Sequence, residues 1–540
     1  MAAPAKPPGL IRSSMIFSGL TLVSRFMGLA RDLVITARLG ASLTPAADAY
    51  NTALAFPNLF RRIFAEGAFA AAFVPSYTKT LGAEGADEAD RIASDALATV
   101  AAATLILTIV AQLAMPWLML VINPGYVSDP AKFKLAVALT QVSMPYLPCM
   151  AIVALLSGVL NARNRFMLSA AAPTVLNGVM LIAVWPQTDP IQAAQAASWA
   201  ILAAGVLQAA WLWWGVRRTG AKIRPVLPKL TPEIRTLIGL AIPGAIAASA
   251  TQINVFISGI LASQTPGARS WLAVCDRLYQ LPIGLIAVAI GVALLPRLSH
   301  AIQGGEHQDA DDAMDQALVF ALALTLPAAA ALIAMPYYLI DGLFTRGAFT
   351  SIDARATASA LMHYGWGVPA FVLTRICAPA FFARGDTRAP MRFGLISVVV
   401  NIALGITLFH LIGFSGIAAA TATASWVTVV QMLTTLARRG DYKLSAKALS
   451  RLVRILAASL AMGAALAFAS HERAILEAPL GGFHHFGLHA KEITVLGVSA
   501  AGALLYLVLL FAFGGVTPAE VRQALKRRKG EAAAPIPDLP

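Results

Sequence analysis

The chain has 540 residues, 58% of them hydrophobic and 13% charged, with a mean hydropathy of +0.71. Soluble domains carry about a quarter charged residues, so this composition excludes an ordinary soluble protein and points to repeated membrane spans. The formal net charge of +14 would suit a nucleic-acid binder, yet lysine and arginine gathered on one side of a membrane produce the same excess.

The opening stretch "MAAPAKPPGLIRSSMIF" is basic and then apolar, in the manner of a signal peptide. Its apolar run is too long, is interrupted by Arg25 and Arg31, and lacks a cleavage site, so it reads as a retained first helix. A span needs about 20 mostly apolar residues. Such stretches fall near 12–39, 46–75, 93–121, 134–160, 166–185, 192–216 and 234–262. They continue near 270–296, 315–340, 354–383, 391–410, 413–437, 450–470 and 493–515. The fold class is therefore all-α and polytopic, with about fourteen transmembrane helices, because lipid leaves no partner for the backbone of an open sheet.

On alternating sides of these spans, roughly 27 lysines and arginines share the side of the N-terminus and about 7 the other. The richest clusters are "RRTGAKIRPVLPK" (217–229), "RRGDYKLSAKALSR" (438–451) and "KRRKG" (526–530). Both termini are expected in the cytoplasm, and the charge excess then needs no nucleic acid.

An internal repeat appears at an offset of about 221 residues: Pro75 matches Pro296, Pro148 matches Pro369, and Arg163 matches Arg384. Six helices separate the equivalents, so the halves share one orientation and form two six-helix lobes in a parallel repeat around a central cavity. Two extra C-terminal helices remain. The expected domains are an N-terminal lobe (1–218), a basic linker (219–230), a C-terminal lobe (231–440), the last two helices (441–516) and a basic cytoplasmic tail (517–540). In the first half, "FPNLFRRIFAEGAFAAAFVP" is longer than its counterpart "LPIGLIAVAIGVALLP" by about one turn, which carries Arg61 and Arg62.

Seven arginines lie inside spans: Arg25, Arg31, Arg38, Arg61, Arg62, Arg277 and Arg375. A charge at mid-bilayer costs about 2.5–3.5 kcal/mol on insertion scales. Arg38 sits near a helix end, where it can snorkel, and Arg375 has no evident partner in sequence. Arg62 has Glu66 one turn on and can pair with it. Asp32 and Asp276 neighbour Arg31 and Arg277, but adjacent residues on a helix do not face each other. Arg25, Arg31, Arg61 and Arg277 thus stand as an anion site, with Arg62, Glu66, Asp32, Asp48 and Asp276 as supporting groups. Guanidinium grips phosphate oxygens in a bidentate fork, so the spans suit a ligand with more than one negative charge, such as a diphosphate.

No Walker loop, HExxH or GxSxG motif is present, and the chain is read as a transporter, not an enzyme. Cys149, Cys275 and Cys377 lack metal or redox spacing, so no metal and no cofactor is expected. "HQDADDAMDQ" (307–316) reads as a solvated helix start, and His471, His484, His485 and His489 as an interfacial loop.

The strings "SRFMGLARD" (24–32), "DAYNTALAFPNLFRRIFAEGAFAAAFVP" (48–75), "CDRLYQLPIG" (275–284), "LLPRLS" (294–299) and "FARGDTRAP" (382–390) resemble the MurJ (MviN) lipid II flippases. That family belongs to the multidrug/oligosaccharidyl-lipid/polysaccharide exporter superfamily. The resemblance implies a bacterial inner-membrane protein. It would carry undecaprenyl-diphosphate-MurNAc-pentapeptide-GlcNAc to the periplasmic leaflet by alternating access, for peptidoglycan synthesis. It also implies an outer groove for the lipid tail at the last two helices. The cavity arginines of the family fall on Arg25, Arg31, Arg61 and Arg277. The seventh span, "IGLAIPGAIAASATQINVFISGILASQ", lacks the carboxylate with which some relatives bind sodium, so the driving force, a membrane potential or an ion gradient, stays open. A flippase for another lipid-linked oligosaccharide of the O-antigen type, or a cation-coupled exporter dependent on Asp32, Asp48 or Glu66, are the rival readings.

Overall fold

The computed structural model describes residues 10–60, 69–304, 307–481 and 489–516. All regular structure in these residues is helical, and ten of the described helices are long and apolar enough to cross a membrane. The chain divides into two compact units: one of Met1–Ala273 with Arg346–Asp353, the other of Val274–Thr345 with Ala354–Pro540.

The first unit opens with α1 (Leu10–Leu39), α2 (Ala46–Phe60) and α3 (Phe69–Ala83). The third predicted span is broken in two, α4 (Ala86–Leu113) and α5 (Met115–Ile122), with Pro116 in the first turn of α5. A proline there removes no intrahelical hydrogen bond and fixes φ, so it starts a helix that its ring would have interrupted further on. The fourth span is likewise split into α6 (Pro130–Ser143) and α7 (Tyr146–Ala162), separated by Met144 and Pro145. Asp129 caps α6 through the N–H groups of Ala131 and Lys132.

Next come α8 (Phe166–Val184), α9 (Pro190–Arg218, capped by Asp189) and α10 (Pro232–Ser263, capped by Thr231). Helix α11 (Ala268–Gln303) begins in this unit and continues into the other. One core gathers Tyr50, Met115, Tyr126, Met144 and Ile201, from α2, α5, α9 and the turns near them. A second gathers Phe73, Tyr77, Leu156, Leu212, Ile223 and Leu237, drawing α10 and the linker against α3, α4, α7 and α9.

The linker is extended, not helical, and its backbone is fastened to α4. Lys222 N–H donates to Asp90 at 2.7 Å and Arg224 N–H to Ser94 at 3.0 Å. Arg163 also donates to Asp90 at 2.7 Å and to the Tyr77 hydroxyl at 2.8 Å. A single buried carboxylate thus ties α3, α4, α7 and the linker together.

The second unit contains α12 (His307–Ala334), α13 (Pro336–Phe344), α14 (Ser351–Phe382, whose first residues belong to the first unit), α15 (Arg388–Ile412) and α16 (Ser415–Arg439). Helices α15 and α16 form a hairpin. The last helices are α17 (Ala446–His471), the short α18 (Arg473–Glu477) and α19 (Ala490–Ala512). A core of Tyr338, Ile455, Met462, Leu466, Val495 and Tyr506 seats α17 and α19 on α12 and α13. The Tyr506 hydroxyl donates to the Ala323 carbonyl at 2.6 Å, and Arg473 pairs with Asp341 at 3.2 Å.

The acidic start of α12 departs from the solvated reading at one position. Asp315 is buried and accepts the Tyr442 hydroxyl at 2.5 Å. Burial, and then this carboxylate, push the Tyr442 phenol well above its ordinary pKa. The spacing of acids in the sequence carries no trace of a partner 127 residues away.

Candidate functional site

Of the four arginines expected to bind an anion, Arg31 on α1 has the most fully described surroundings. Its Nε and Nη2 donate to Asp32 Oδ1 at 3.0 and 2.7 Å, and its Nη1 to Asn177 Oδ1 at 2.9 Å. The side chains of Arg31 and Asp32 are 12% and 16% exposed. This corrects the expectation that Asp32 lies out of reach. Neighbouring positions on a helix do point about 100° apart, but that rule concerns the directions of the Cβ atoms. The long arginine stem bends back to the short carboxylate, and away from water a charge-assisted pair is favoured.

Asn177 on α8 completes the arrangement. It is buried, and its Nδ2 donates to the Ser24 carbonyl at 2.9 Å. One amide therefore braces α1 at both Ser24 and Arg31. Gly28 lies between them, and a Cβ on it would stand 3.6 Å from Asn177 Nδ2. That is an ordinary van der Waals distance, so the approach of α8 would also accommodate an alanine at this position. Asn177 was missed in the sequence because a lone asparagine in an apolar helix resembles any other small polar residue.

Arg25, six residues before Arg31 on α1, is exposed. Arg277 lies in the second unit, on α11, and is also exposed. Its neighbours hold that stretch of helix in place: Cys275 and Leu278 are buried, and Tyr279 stacks on Tyr364 at 4.6 Å and meets Phe371 at 5.5 Å. Asp276 makes a side-chain hydrogen bond with Tyr279. Arg61, Arg62 and Glu66 lie outside the described residues. Arg38 donates to the Trp185 carbonyl at 2.7 Å, and Arg375 is exposed.

Asp48 occupies a different setting from the arginines. It is fully buried in the first turn of α2 and takes Lys132 Nζ at 2.5 Å on Oδ2. Gly267 N–H donates to the same oxygen at 2.8 Å, while Ser270 donates to Oδ1 through N–H at 3.1 Å and through its hydroxyl at 2.8 Å. A second buried carboxylate, Asp353, accepts from Ser42 N–H at 3.1 Å and from its hydroxyl, from Trp271 Nε1 at 3.0 Å, and from Thr350 N–H and Oγ1, both at 3.0 Å.

Neither Lys132 nor Asp353 stands out in the sequence as functional. Each stands just outside a predicted apolar span, where a charge has the ordinary explanation of a solvated helix start. The available signal was the repeat: its offset carries Asp48 onto Arg269 and Lys132 onto Asp353, so the two halves exchange acid and base at matching places.

The arrangement is that of a membrane transporter: cations held at helix positions inside spans, and buried carboxylates joining helix ends. The "Lipid II flippase MurJ" family model matches residues 35–475. The chain belongs to the MurJ family. Among its MurJ relatives, a probable lipid II flippase of Rhizobium tropici is 40% identical over 525 residues, which is 96% of this chain and 97% of that protein. The corresponding protein of Rhizobium meliloti is 39% identical over 523 residues, 96% of each chain. The fold is that of a solved lipid II flippase MurJ in an inward closed conformation, with a TM-score of 0.73 at 24% identity, covering 92% of this chain and 98% of that one.

Proposed function

We propose that the protein is a lipid II flippase of the inner membrane. It carries the diphosphate-linked headgroup from the cytoplasmic to the periplasmic leaflet by alternating access, for peptidoglycan synthesis. The observation that carries the reading is the whole-length match, 96% of the chain, to MurJ relatives whose names give that activity. The arginines supply its physical basis. Dehydrating a diphosphate in a membrane requires fixed cations, and guanidinium matches phosphate oxygens while costing less to dehydrate than ammonium.

Arg25 and Arg277, both exposed, meet the headgroup in this scheme together with Arg61. Arg31 is already engaged by Asp32 and Asn177, so it acts with them to hold α1 and present a polar, cationic wall. Asp276 orients the α11 side, and Arg62 with Glu66 the α2 side. Asp48 and Asp353 join the ends of helices where the path opens outward.

The two-lobe organisation is supported by the helix bounds. The offset of about 221 residues carries α4 and α5 onto α12 and α13 nearly residue for residue, and the end of α9 at Arg218 onto the end of α16 at Arg439. The lobes are then 1–218 and 231–440, joined by the basic linker 219–230, with α17 and α19 added after the repeat. Fourteen spans result when α2 with α3, α4 with α5, α6 with α7, and α12 with α13 each count as one and the five-residue α18 is left out. Both termini, on the lysine- and arginine-rich side, lie in the cytoplasm.

The test is movement of fluorescent lipid II across liposomes holding the purified chain, with and without a membrane potential. Flipping of lipid II is the expected result. Loss of flipping with retained binding of an O-antigen-type diphosphate lipid would overturn the substrate assignment.

A further inference from the structure

The second unit gathers cations on the side of the chain where cations are scarce. On the topology proposed above, α13 and α17 end, and α14 and α19 begin, at the outward face, which holds few lysines and arginines. Three of those few lie on these helix ends: Arg355 near the start of α14, Arg473 at the start of α18, and Lys491 in the first turn of α19. All three belong to the second unit.

Two of them meet at one ring. The Arg473 guanidinium stands 5.1 Å from the centre of the Tyr337 ring and 5.8 Å from that of Tyr338, and the Arg355 guanidinium stands 6.0 Å from Tyr337. The attraction of a guanidinium to a ring is weak where water reaches the pair, while two guanidinium groups at one ring repel each other. Arg473 is offset in part by Asp341 at 3.2 Å, and Lys491 Nζ is engaged by the Thr345 carbonyl at 2.5 Å. Arg355 is exposed, and among the described residues it makes no ion pair. The hydroxyl of half-buried Tyr337 likewise makes no hydrogen bond among them.

The surroundings are those of a membrane interface. Phe468 in the last turn of α17, and Ile475 and Leu476 on α18, are exposed apolar side chains beside this polar group. Tyrosine, with an apolar ring and a polar tip, suits the depth at which lipid headgroups lie.

We infer that Tyr337, Arg355 and Arg473 bind the phosphodiester of an anionic phospholipid in the outer leaflet. The choice of leaflet rests on the topology proposed above. Arg355 offers an unused fork for two phosphate oxygens, Arg473 has donors beyond the one given to Asp341, and the Tyr337 hydroxyl adds another. A negative charge between the arginines removes their repulsion. Asp341, and Glu477 one turn after Arg473, offset part of the positive charge, and Glu492 is engaged at the cap of α19. What is left suits the single charge of a phosphodiester better than a diphosphate.

The experiment is native mass spectrometry of the full chain, titrated with phosphatidylglycerol and with phosphatidylcholine of the same acyl chains. The parent chain is expected to hold one phosphatidylglycerol about tenfold more tightly than phosphatidylcholine, the scale of one hydrogen bond to a charged group. Arg355→Gln and Tyr337→Leu should each bring that step to the phosphatidylcholine value. Arg224→Gln, which removes the same charge from the exposed linker, should keep it. Arg355→Gln cuts no ion pair among the described residues, so it decides the matter if Tyr337→Leu does not fold. Equal affinity for the two lipids, or an equal loss in Arg224→Gln, would overturn the site. Weaker lipid II binding in Arg355→Gln with the phosphatidylglycerol step kept would give the site to the diphosphate instead and overturn the assignment.

The leaflet is read separately. Ile475→Cys is expected to react with a membrane-impermeant maleimide in intact cells, above the background of the parent chain. Absent labelling would overturn the outer-leaflet assignment together with the topology. Loss of lipid II flipping with the phosphatidylglycerol step kept would fail the flippase reading alone.

Discussion

Lys132 Nζ lies 2.5 Å from Asp48 Oδ2, with the two side chains 8% and 1% exposed. Removing one partner of a buried pair leaves an uncompensated charge and costs about 3–5 kcal/mol, whereas removing both is often far less harmful. Lys132 also stands 4.5 Å from the centre of the Tyr126 ring, and Asp48 keeps three donors from Gly267 and Ser270. Lys132→Met is therefore expected at the lower end of that range. The double variant Asp48→Asn with Lys132→Met should be more stable than the sum of the single losses implies. Chemical unfolding in detergent, followed by helical circular dichroism, gives the double-mutant cycle. Strictly additive losses would mean that the two groups do not support one another.

Asn177 offers a separate test of how α1 is held. Asn177→Leu keeps the volume and removes the hydrogen bonds to Ser24 and Arg31. The unsatisfied carbonyl and guanidinium should cost about 1–3 kcal/mol. Arg31→Lys should also reduce lipid II flipping, because an ammonium cannot reach Asp32 and Asn177 with one planar fork. If Arg31→Lys flips lipid II at the normal rate in liposomes, the fork geometry has no part in transport.

How much of this was legible beforehand depended on the range of the interaction. Helix positions followed from apolar length, and the breaks at Ala114 and Met144–Pro145 left visible prolines at Pro116 and Pro145. The arginines stood out because a charge inside an apolar run is costly wherever it occurs. Pairing was not legible. Asp32 reached Arg31 through side-chain flexibility that a rule about helix faces ignores, and Asn177 reached it from 146 residues away. Lys132 and Asp353 looked like solvated helix starts because burial of a helix end depends on what packs over it. For those two, the sequence signal is the repeat offset, and it carries meaning because Asp48 is buried.

Arg25 and Arg277 are the exposed cations in this scheme, so their removal should weaken the ligand. A hydrogen bond to a charged group contributes about 1.5–3 kcal/mol, which corresponds to a loss of about tenfold to a hundredfold in affinity. Arg25→Gln and Arg277→Gln are each expected to weaken lipid II binding by that factor at low salt, and Arg25→Gln is expected to leave the unfolding midpoint unchanged. Native mass spectrometry of lipid II complexes measures the first and thermal unfolding the second. Unchanged binding in both variants would remove these two arginines from the headgroup site.

The turn between α14 and α15 gives a pH dependence whose sign is fixed. Asp386 accepts the N–H groups of Ala389 at 3.0 Å and Arg388 at 3.1 Å, and Arg439 at 2.8 Å. The Ala389 N–H first, and then Arg439, hold its carboxyl below the usual range. A native value below the unfolded one means that the ionised form is favoured by folding. The stabilisation is therefore present above the unfolded carboxylate pKa of about 3.9, and is lost as pH falls through the lower native value. Asp386→Asn should unfold at a lower temperature than the parent chain at pH 6, and the two midpoints should converge as the pH is taken below the carboxylate range. The pair lies at the surface, with Asp386 half-buried and Arg439 exposed, so screening keeps the gap small and added salt should narrow it. A gap independent of both pH and salt would mean that the asparagine acts through packing of the turn, and that the ion pair with Arg439 contributes nothing.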